Sequence, residues 1–492
     1  LGDSEANDCI PKYYDQNRIV CVCNSTYCDN FPTTETLKQY QAIHFVSTKC
    51  GKRFYREFRN FSTVRKRSAS VIKVNPQQKQ QSIIGFGGAF TDAVGINILA
   101  LSPGAQENLL RSYFGADGIQ YSIARVPIAS TDFSTHVYSY DDFPGDFDLK
   151  NFSLTAINLT DNNLKLLASP WSAPGWMKES GKMEGGTGLI GGINSSYHVT
   201  WANYYIKFLE EYAKNDIKYW GLTVQNEPSA GLIRSYRCDM NLCQTLKDFI
   251  KYHLGPKLKN SNVGKNIALM IMDDQRYNLP KWPLKVLNDT DASEYISGIA
   301  VHWYENFFLF PPSLLVETHN NHPNKFLLST EACNGYLFWD RGPIYGSWIR
   351  GEKYAKDILE NLQNWVSGWI DWNICLDLHG GPNWAQNFVD SPVLVNKTAD
   401  EFYKQPMFYV MGHFSKFIRS GSTKVNASFP KGLNGAAFVT PSRQRVLVIV
   451  NQSDSKFDDV TIQDSTIAER LLTNVTIDPH SINTIIWDKV KS

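Results

Sequence analysis

The sequence lacks several features that would settle its class at once. No stretch approaches the roughly 18 uninterrupted apolar residues that a membrane-spanning helix needs. Charge of one sign is also missing: 49 Lys and Arg stand against 48 Asp and Glu, a formal net charge of +1. Apart from Arg65, Lys66 and Arg67 there is no basic stripe, so nothing neutralises a row of phosphates and a nucleic-acid partner is excluded. A phosphate-binding loop is absent as well, because GFGGAF from Gly85 lacks both G-x-G-x-x-G and G-K-[ST]. No internal repeat and no low-complexity segment interrupts the chain. It opens on LGDSEAND, with no Met and no basic-then-apolar leader, and so reads as a mature, soluble protein without its targeting segment.

What is present is size and aromatic mass. A chain of 492 residues exceeds one ordinary domain of about 100–200 residues, which leaves a large barrel or several domains. With 42% apolar residues, including 13 Trp, 24 Tyr and 27 Phe, it can bury a sizeable core. Four of the nine cysteines, Cys9, Cys21, Cys23 and Cys28, crowd the first thirty residues. That density points to paired bridges in an oxidising compartment; a zinc cluster is the alternative, although no His follows at ligand spacing. Cys50, Cys238, Cys243, Cys333 and Cys375 are scattered and expected to be mostly free. Asn-x-Ser/Thr sequons begin at Asn24, Asn60, Asn151, Asn158, Asn194, Asn288, Asn396, Asn426, Asn451 and Asn474. Each is weak alone, but together with the cysteines they argue for the secretory route.

Residues 81–372 carry eight β-like apolar runs that end in small, polar or aromatic residues: GFGGAFTDA, SIARVPIAS, LKLLASPWS, YWGLTVQNE, IALMIMDDQ, GIAVHWYE, KFLLSTEA and GWIDWN. Helical periodicity lies between several of them, as at Thr200–Asn215 and Tyr354–Val366. Strand, loop and helix repeated eight times is the arithmetic of a (β/α)8 barrel, with an open doubly wound sheet as the alternative. Residues 35–80 and 418–492 instead show period-2 runs such as ASVIKV, RVLVIVNQ and HSINTIIW, which read as an antiparallel β-sandwich built from both chain ends. Residues 1–34, with about 373–417, are assigned to a small disulfide-bearing sheet region.

A barrel projects its working groups from the C-terminal ends of its strands. Glu227 closes the fourth run and Glu331 the seventh. Either alone would more often be a surface or cap glutamate. A pair at two strand ends is what glycosidic cleavage needs, one acid to protonate the leaving oxygen and one carboxylate to attack or stabilise the oxocarbenium-like carbon. Asp92, Asp132, Trp171, Trp176, Asn226, Trp303, Tyr304, Trp372, Asn383 and Trp384 fall at or just beyond strand exits. Aromatic residues are more often core than site, but at these positions planar rings and short polar groups suit the faces and hydroxyls of a sugar.

GFGGAFTDA, RVPIASTDFS, ASPWSAPGWMK, NEPSAG, AVHWY, STEACNG, GWIDWN, GGPNWAQNFVDSP and FYKQPMFYVMGHFSKFI resemble, in motif and order, the lysosomal acid β-glucosidase (glucosylceramidase, glucocerebrosidase) family. The likeness runs from CIPK at Cys9 to near the C-terminus. It implies a retaining β-glucosidase acting on glucosylceramide, on a barrel flanked by a β-sandwich and a small disulfide-bearing sheet, without metal or cofactor. Carried over by motif, the acid/base falls on Glu227 and the nucleophile on Glu331. Glucose contacts fall on Asp132, Trp171, Asn226, Trp372 and Asn383, and supporting positions on Arg125, His302, Tyr304 and Tyr236. Arg125 is expected to keep the nucleophile ionised. The resemblance also implies the bridges Cys9–Cys21 and Cys23–Cys28, a lysosomal, membrane-associated site of action, an anionic lipid surface and a saposin-type activator as partners. Alternatives are hydrolysis of another β-glucoside or a steryl glucoside, or a non-catalytic carbohydrate- or lipid-binding paralogue.

One departure from the family stands out. Between NFSL at Asn151 and the third strand only AINLTDNN follows Thr155, which reads as too little for a three-turn barrel helix and sets an expectation of a crossover that closes poorly.

Overall fold

The computed structural model describes residues 7–31, 37–63, 70–140, 150–160, 163–230, 246–306, 310–467 and 470–489. At its centre is a closed barrel of eight strands: β1 (Gly85–Ala89), β2 (Ile123–Ile128), β3 (Lys165–Pro170), β4 (Gly221–Thr223), β5 (Ala268–Gln275), β6 (Gly298–His302), β7 (Phe326–Glu331) and β8 (Val366–Asn373). Each pairs in parallel with its successor, and β8 returns to β1 through Gly368↔Gly85 and Trp369↔Phe86. The glycines of GFGGAF serve this closure rather than a ligand. A Cβ on Gly87 would stand 1.7 Å from the Ile123 carbonyl oxygen, so only glycine lets β1 meet β2 there.

Alternation along each strand sends one side chain inward and the next outward. Ile123, Leu167, Met270, Ala300, Leu328 and Ile370, one from each of six strands, form a separate apolar cluster that fills the lower bore. Helices cover the outside, among them Ser196–Ala213 and Trp348–Gln363, within a few residues of the two expected from periodicity. Pro406–Ser415, following β8, is buried along its whole length and packs against β1 and the sandwich strands Gln41–Thr48 and Ser481–Trp487.

The expectation of a deficient crossover before β3 is overturned. Lys150–Leu159 is a ten-residue α-helix, about 15 Å at 1.5 Å per residue, and it packs on the helix Pro103–Phe114 with Ala156 fully buried. Its Asn, Ser and Thr residues are weak helix formers that hide its periodicity, and tertiary packing overrides them.

Nine strands hydrogen-bond in one continuous order: Leu472–Ile477, Phe457–Asp464, Ser70–Ser82, Thr423–Ser428, Asn434–Val439, Arg445–Asn451, Ser481–Trp487, Gln41–Thr48 and Tyr55–Asn60. Both chain ends contribute, and a distinct apolar cluster from Ala42 and Ile72 to Leu447 and Trp487 forms its core. The sandwich is not wholly antiparallel, because Phe457–Asp464 runs parallel to Ser70–Ser82. Pro11–Asp15, Arg18–Asn24, Glu401–Lys404, Val393–Asn396 and Cys375–Asp377 make a five-stranded sheet. Cys9–Cys21 and Cys23–Cys28 are disulfides beside it, so these thiols are not zinc ligands. Cys50, Cys333 and Cys375 are free; Cys238 and Cys243 lie outside the described residues. Among the described residues no helix is long and apolar enough to cross a membrane.

Candidate active site

Two residues beyond the apolar layer, the same alternation points polar side chains into the upper bore: Arg125 on β2, Ser169 on β3, His302 on β6 and Thr330 on β7. β5 departs from this parity. Met272 and Asp273 have φ of 74° and 51°, and the register with β6 slips between Met272 and Asp274. This bulge turns Asp273 inward where plain alternation would have put Met272.

Asp273 becomes the hub of the buried polar layer. One carboxylate oxygen accepts from Arg125 at 2.8 Å and from the Thr223 hydroxyl at 2.7 Å; the other accepts from Thr330 at 2.6 Å and pairs with His302 Nε2 at 3.1 Å. Arg125, itself fully buried, also donates to Asn226 Oδ1 at 2.7 Å and to Glu331 Oε2. Glu331 Oε1 accepts from the Tyr304 hydroxyl at 2.8 Å. Glu227 Oε1 instead pairs with His302 Nδ1 at 3.0 Å and accepts from the Gln275 amide at 2.7 Å. A carboxylate oxygen of Glu227, one of Glu331 and a ring nitrogen of His302 lie within 4.8 Å of one another.

The charges follow from these contacts. Burial opposes ionisation of Asp273, yet Arg125 and His302 hold its carboxyl well below the usual range. Burial opposes protonation of His302, but Glu331, Asp273 and Glu227 push the imidazole up to about 10, which favours the cation over the neutral ring. For Glu331 burial wins and lifts the carboxyl above its ordinary value, against the pull of His302, Arg125 and the Tyr304 hydroxyl. Three potential metal-ligand atoms converge here, but the His302 cation and Arg125 already satisfy the carboxylates.

Around this floor stands a wall of aromatic residues. Trp171 and Trp372 stack at 5.1 Å, with the Arg125 guanidinium 4.8 Å and 5.5 Å from their centres. Phe133 meets Trp372 edge-on at 6.0 Å. Asp132, beyond β2, accepts at Oδ2 from Asn383 at 3.2 Å and Asn387 at 3.0 Å. Trp384 donates its indole N–H to Thr131 and packs half-buried on the same wall. Thus Arg125, Asp132, Trp171, Asn226, Glu227, His302, Tyr304, Glu331, Trp372, Asn383 and Trp384 form one contiguous cluster of hydrogen bonds and ring contacts at the C-terminal end of the barrel strands. Asp92 is buried beside it and accepts from the Tyr138 hydroxyl at 2.9 Å.

Two expected residues do not join. Trp303 turns into the core, edge-on to Tyr354 at 5.4 Å and Trp369 at 6.3 Å. Trp176 is 58% exposed and packs only loosely on Tyr197, at the rim. Tyr236 lies outside the described residues. Conversely, Asp273, Asp274 and Gln275 escaped the sequence reading. Their signal was the polar ending of the fifth run, MDDQ, equivalent in place to VQNE on the fourth.

Comparison with known proteins gives matches over the whole architecture. Residues 83–418 match the glycosyl hydrolase family 30 TIM-barrel domain, and 420–485 the glycosyl hydrolase family 30 beta sandwich domain. The chain is 44% identical to putative glucosylceramidase 4 of Caenorhabditis elegans, over 95% of this chain and 93% of that one. It is 42% identical to lysosomal acid glucosylceramidase of Mus musculus, over 98% and 96% respectively. Among solved structures, SrfJ from Salmonella typhimurium superposes with a TM-score of 0.82 at 27% identity, covering 91% of this chain and 99% of that one.

Proposed function

The chain belongs to glycosyl hydrolase family 30, and from that premise we propose that it cleaves the β-glucosidic bond of glucosylceramide by double displacement, giving glucose and ceramide. The observation that carries the mechanism is the approach of Glu227 and Glu331 within 4.8 Å. A retaining pair stands about 5–5.5 Å apart, whereas an inverting pair needs about 6.5–9.5 Å to admit a water.

Glu331 is the nucleophile. Its oxygen attacks the anomeric carbon while Glu227 donates its proton to the departing glycosidic oxygen; the bond to ceramide breaks and a glucosyl ester forms on Glu331. Water then attacks that carbon, Glu227 takes its proton, and Glu331 leaves as carboxylate. Arg125 and Tyr304, both on Glu331, favour the ionised form against burial. Trp171 and Trp372, stacked on one another, form an apolar wall for the sugar, and Asp132, Asn226 and Asn383 supply hydroxyl partners.

A lipid aglycone is supported by the rim. In loops after β7 and β3, at the end of the barrel where the two glutamates stand, Phe338 is 83%, Trp339 66% and Trp176 58% exposed. Exposed aromatic groups of this size suit an anionic membrane surface carrying the substrate, with lysosomal action and a saposin-type activator following from the same reading. The test is proton NMR of the first turnover of glucosylceramide in anionic vesicles. Free β-glucose forming first is the expected result; α-glucose first would discard retention, and hydrolysis confined to other β-glucosides would discard the lipid substrate.

A further inference from the structure

We propose that Asp274 is a positioning residue for Glu227: it locks the backbone turn that carries this carboxyl and, once ionised, sets a like charge against it, so that on the alkaline limb of the profile Glu227 keeps its proton beside the His302 cation. This rests on the reading of Glu227 as the acid/base.

Glu227 stands just past β4 with φ of 41°, in the left-handed region that costs a β-unbranched side chain on the order of 1 kcal/mol or more unless its surroundings hold it. Two ties from β5 bracket it. The Glu227 amide donates to the Asp273 carbonyl at 2.8 Å, and the Ser229 amide donates to Asp274 Oδ2 at 2.9 Å. Asp274 Oδ1 accepts from the Gln275 amide N–H at 2.7 Å, and the Gln275 side chain donates to Glu227. The bulge that turns Asp273 inward therefore also sets Asp274 behind Glu227 and Gln275 beside it.

Asp274 is 1% exposed, and no salt bridge to it occurs among the described residues. Burial first, and then the Glu227 charge, push its carboxyl up to about 6, against the Ser229 and Gln275 hydrogen bonds. Coupling is reciprocal, so an ionised Asp274 raises the proton affinity of Glu227. Among the described residues, the other ionisable groups around the pair are His302 on β6, Glu331 on β7, Tyr304 and Glu305 beyond β6, and Tyr277 beyond β5, with Arg125 and Asp273 beneath. His302 and Arg125 draw the proton off Glu227; Asp274 and Glu331 hold it on. Without Asp274 that balance tips toward the cations.

The experiment is the pH dependence of kcat/KM for Asp274→Asn, which keeps an acceptor for the Ser229 amide, gives up the one for the Gln275 amide and removes the charge. With an alkyl β-glucoside, whose leaving group needs a proton, the alkaline limb should move down by about one pH unit, a roughly tenfold loss on that limb. With a nitrophenyl β-glucoside, which leaves unaided, the loss should stay within a few-fold. Asp274→Ser gives the same reading if the Asn variant does not fold. An alkaline limb that stays in place with a folded variant overturns the proposal. Glu227→Gln separates the premise: it should lose the alkaline limb altogether, and if it keeps that limb, the acid/base assignment falls and the proposal with it.

Discussion

Glu331 touches Arg125 and Tyr304, whereas Glu227 touches His302 and Gln275, and this asymmetry separates their roles. Replacing Glu331 by Gln should reduce turnover by at least about 1,000-fold with every substrate, since no covalent ester can form. Replacing Glu227 by Gln should leave an enzyme that azide revives, with β-glucosyl azide as the product; rescue of the Glu331 variant alone would reverse the assignment. Asp273→Asn should cost about 3–5 kcal/mol in denaturant unfolding, because it removes the buried carboxylate that bridges the Arg125 and His302 cations. The two glutamates were legible because they end strands beside Pro and Ala in a sequence whose barrel rhythm is plain. Asp273 was not, since a bulge shifts the inward parity by one residue and no alternation pattern encodes it. The sequons divide by burial in the same way: Asn451 is fully buried and its amide donates to the Ser455 and Asp478 carbonyls at 2.8 Å each. Glycopeptide mass spectrometry of secretory-route protein should find Asn451 bare.

Among elements, the joint between barrel and sandwich carries two histidines with opposite pH behaviour. His413, on the buried helix Pro406–Ser415, meets Thr484 at 2.9 Å and Ser47 at 2.9 Å. Burial and then the nearby His44 lower it to about 3, so the unfolded chain takes up a proton that the folded one refuses, and stability falls as pH drops below about 6.5. His480 instead sits between Glu352, on the helix Trp348–Gln363, and Asp454, at 2.8 and 2.9 Å. Burial works against its charge, but these carboxylates raise its pKa. Its contribution is therefore full below the ordinary value and is lost as pH rises through the raised one. Scanning calorimetry should show His480→Gln losing more thermal midpoint at about pH 5 than at about pH 8, and His413→Gln the reverse. Element existence was readable from periodicity, down to all eight barrel strands. The crossover helix Lys150–Leu159 was not, because its residues favour turns when read alone and become helical only against Pro103–Phe114.

For the whole molecule, the closed barrel brings the ends of strands far apart in sequence to one mouth, and its loops set exposed aromatic residues around that mouth. Sequence alone could place Trp171 and Trp372 at that mouth because they sit at the ends of β3 and β8, and Asn383 through its motif GGPNW. It could not tell that Trp303 faces the core, since side-chain direction past a strand end depends on the packing of the neighbouring helix. Turnover should follow a bell-shaped, acidic pH profile: it falls on the acid side as Glu331, already raised by burial, takes up a proton, and on the alkaline side as Glu227 loses one. A maximum above neutrality would contradict this. The most direct test of double displacement is to treat the protein with a 2-deoxy-2-fluoro-β-glucosyl fluoride, which forms the glucosyl ester quickly and hydrolyses it slowly, and to locate the label by peptide mass spectrometry. The account predicts one fluoroglucosyl group on Glu331 in STEACNG; a label on Glu227, or inactivation without any covalent sugar, would contradict it.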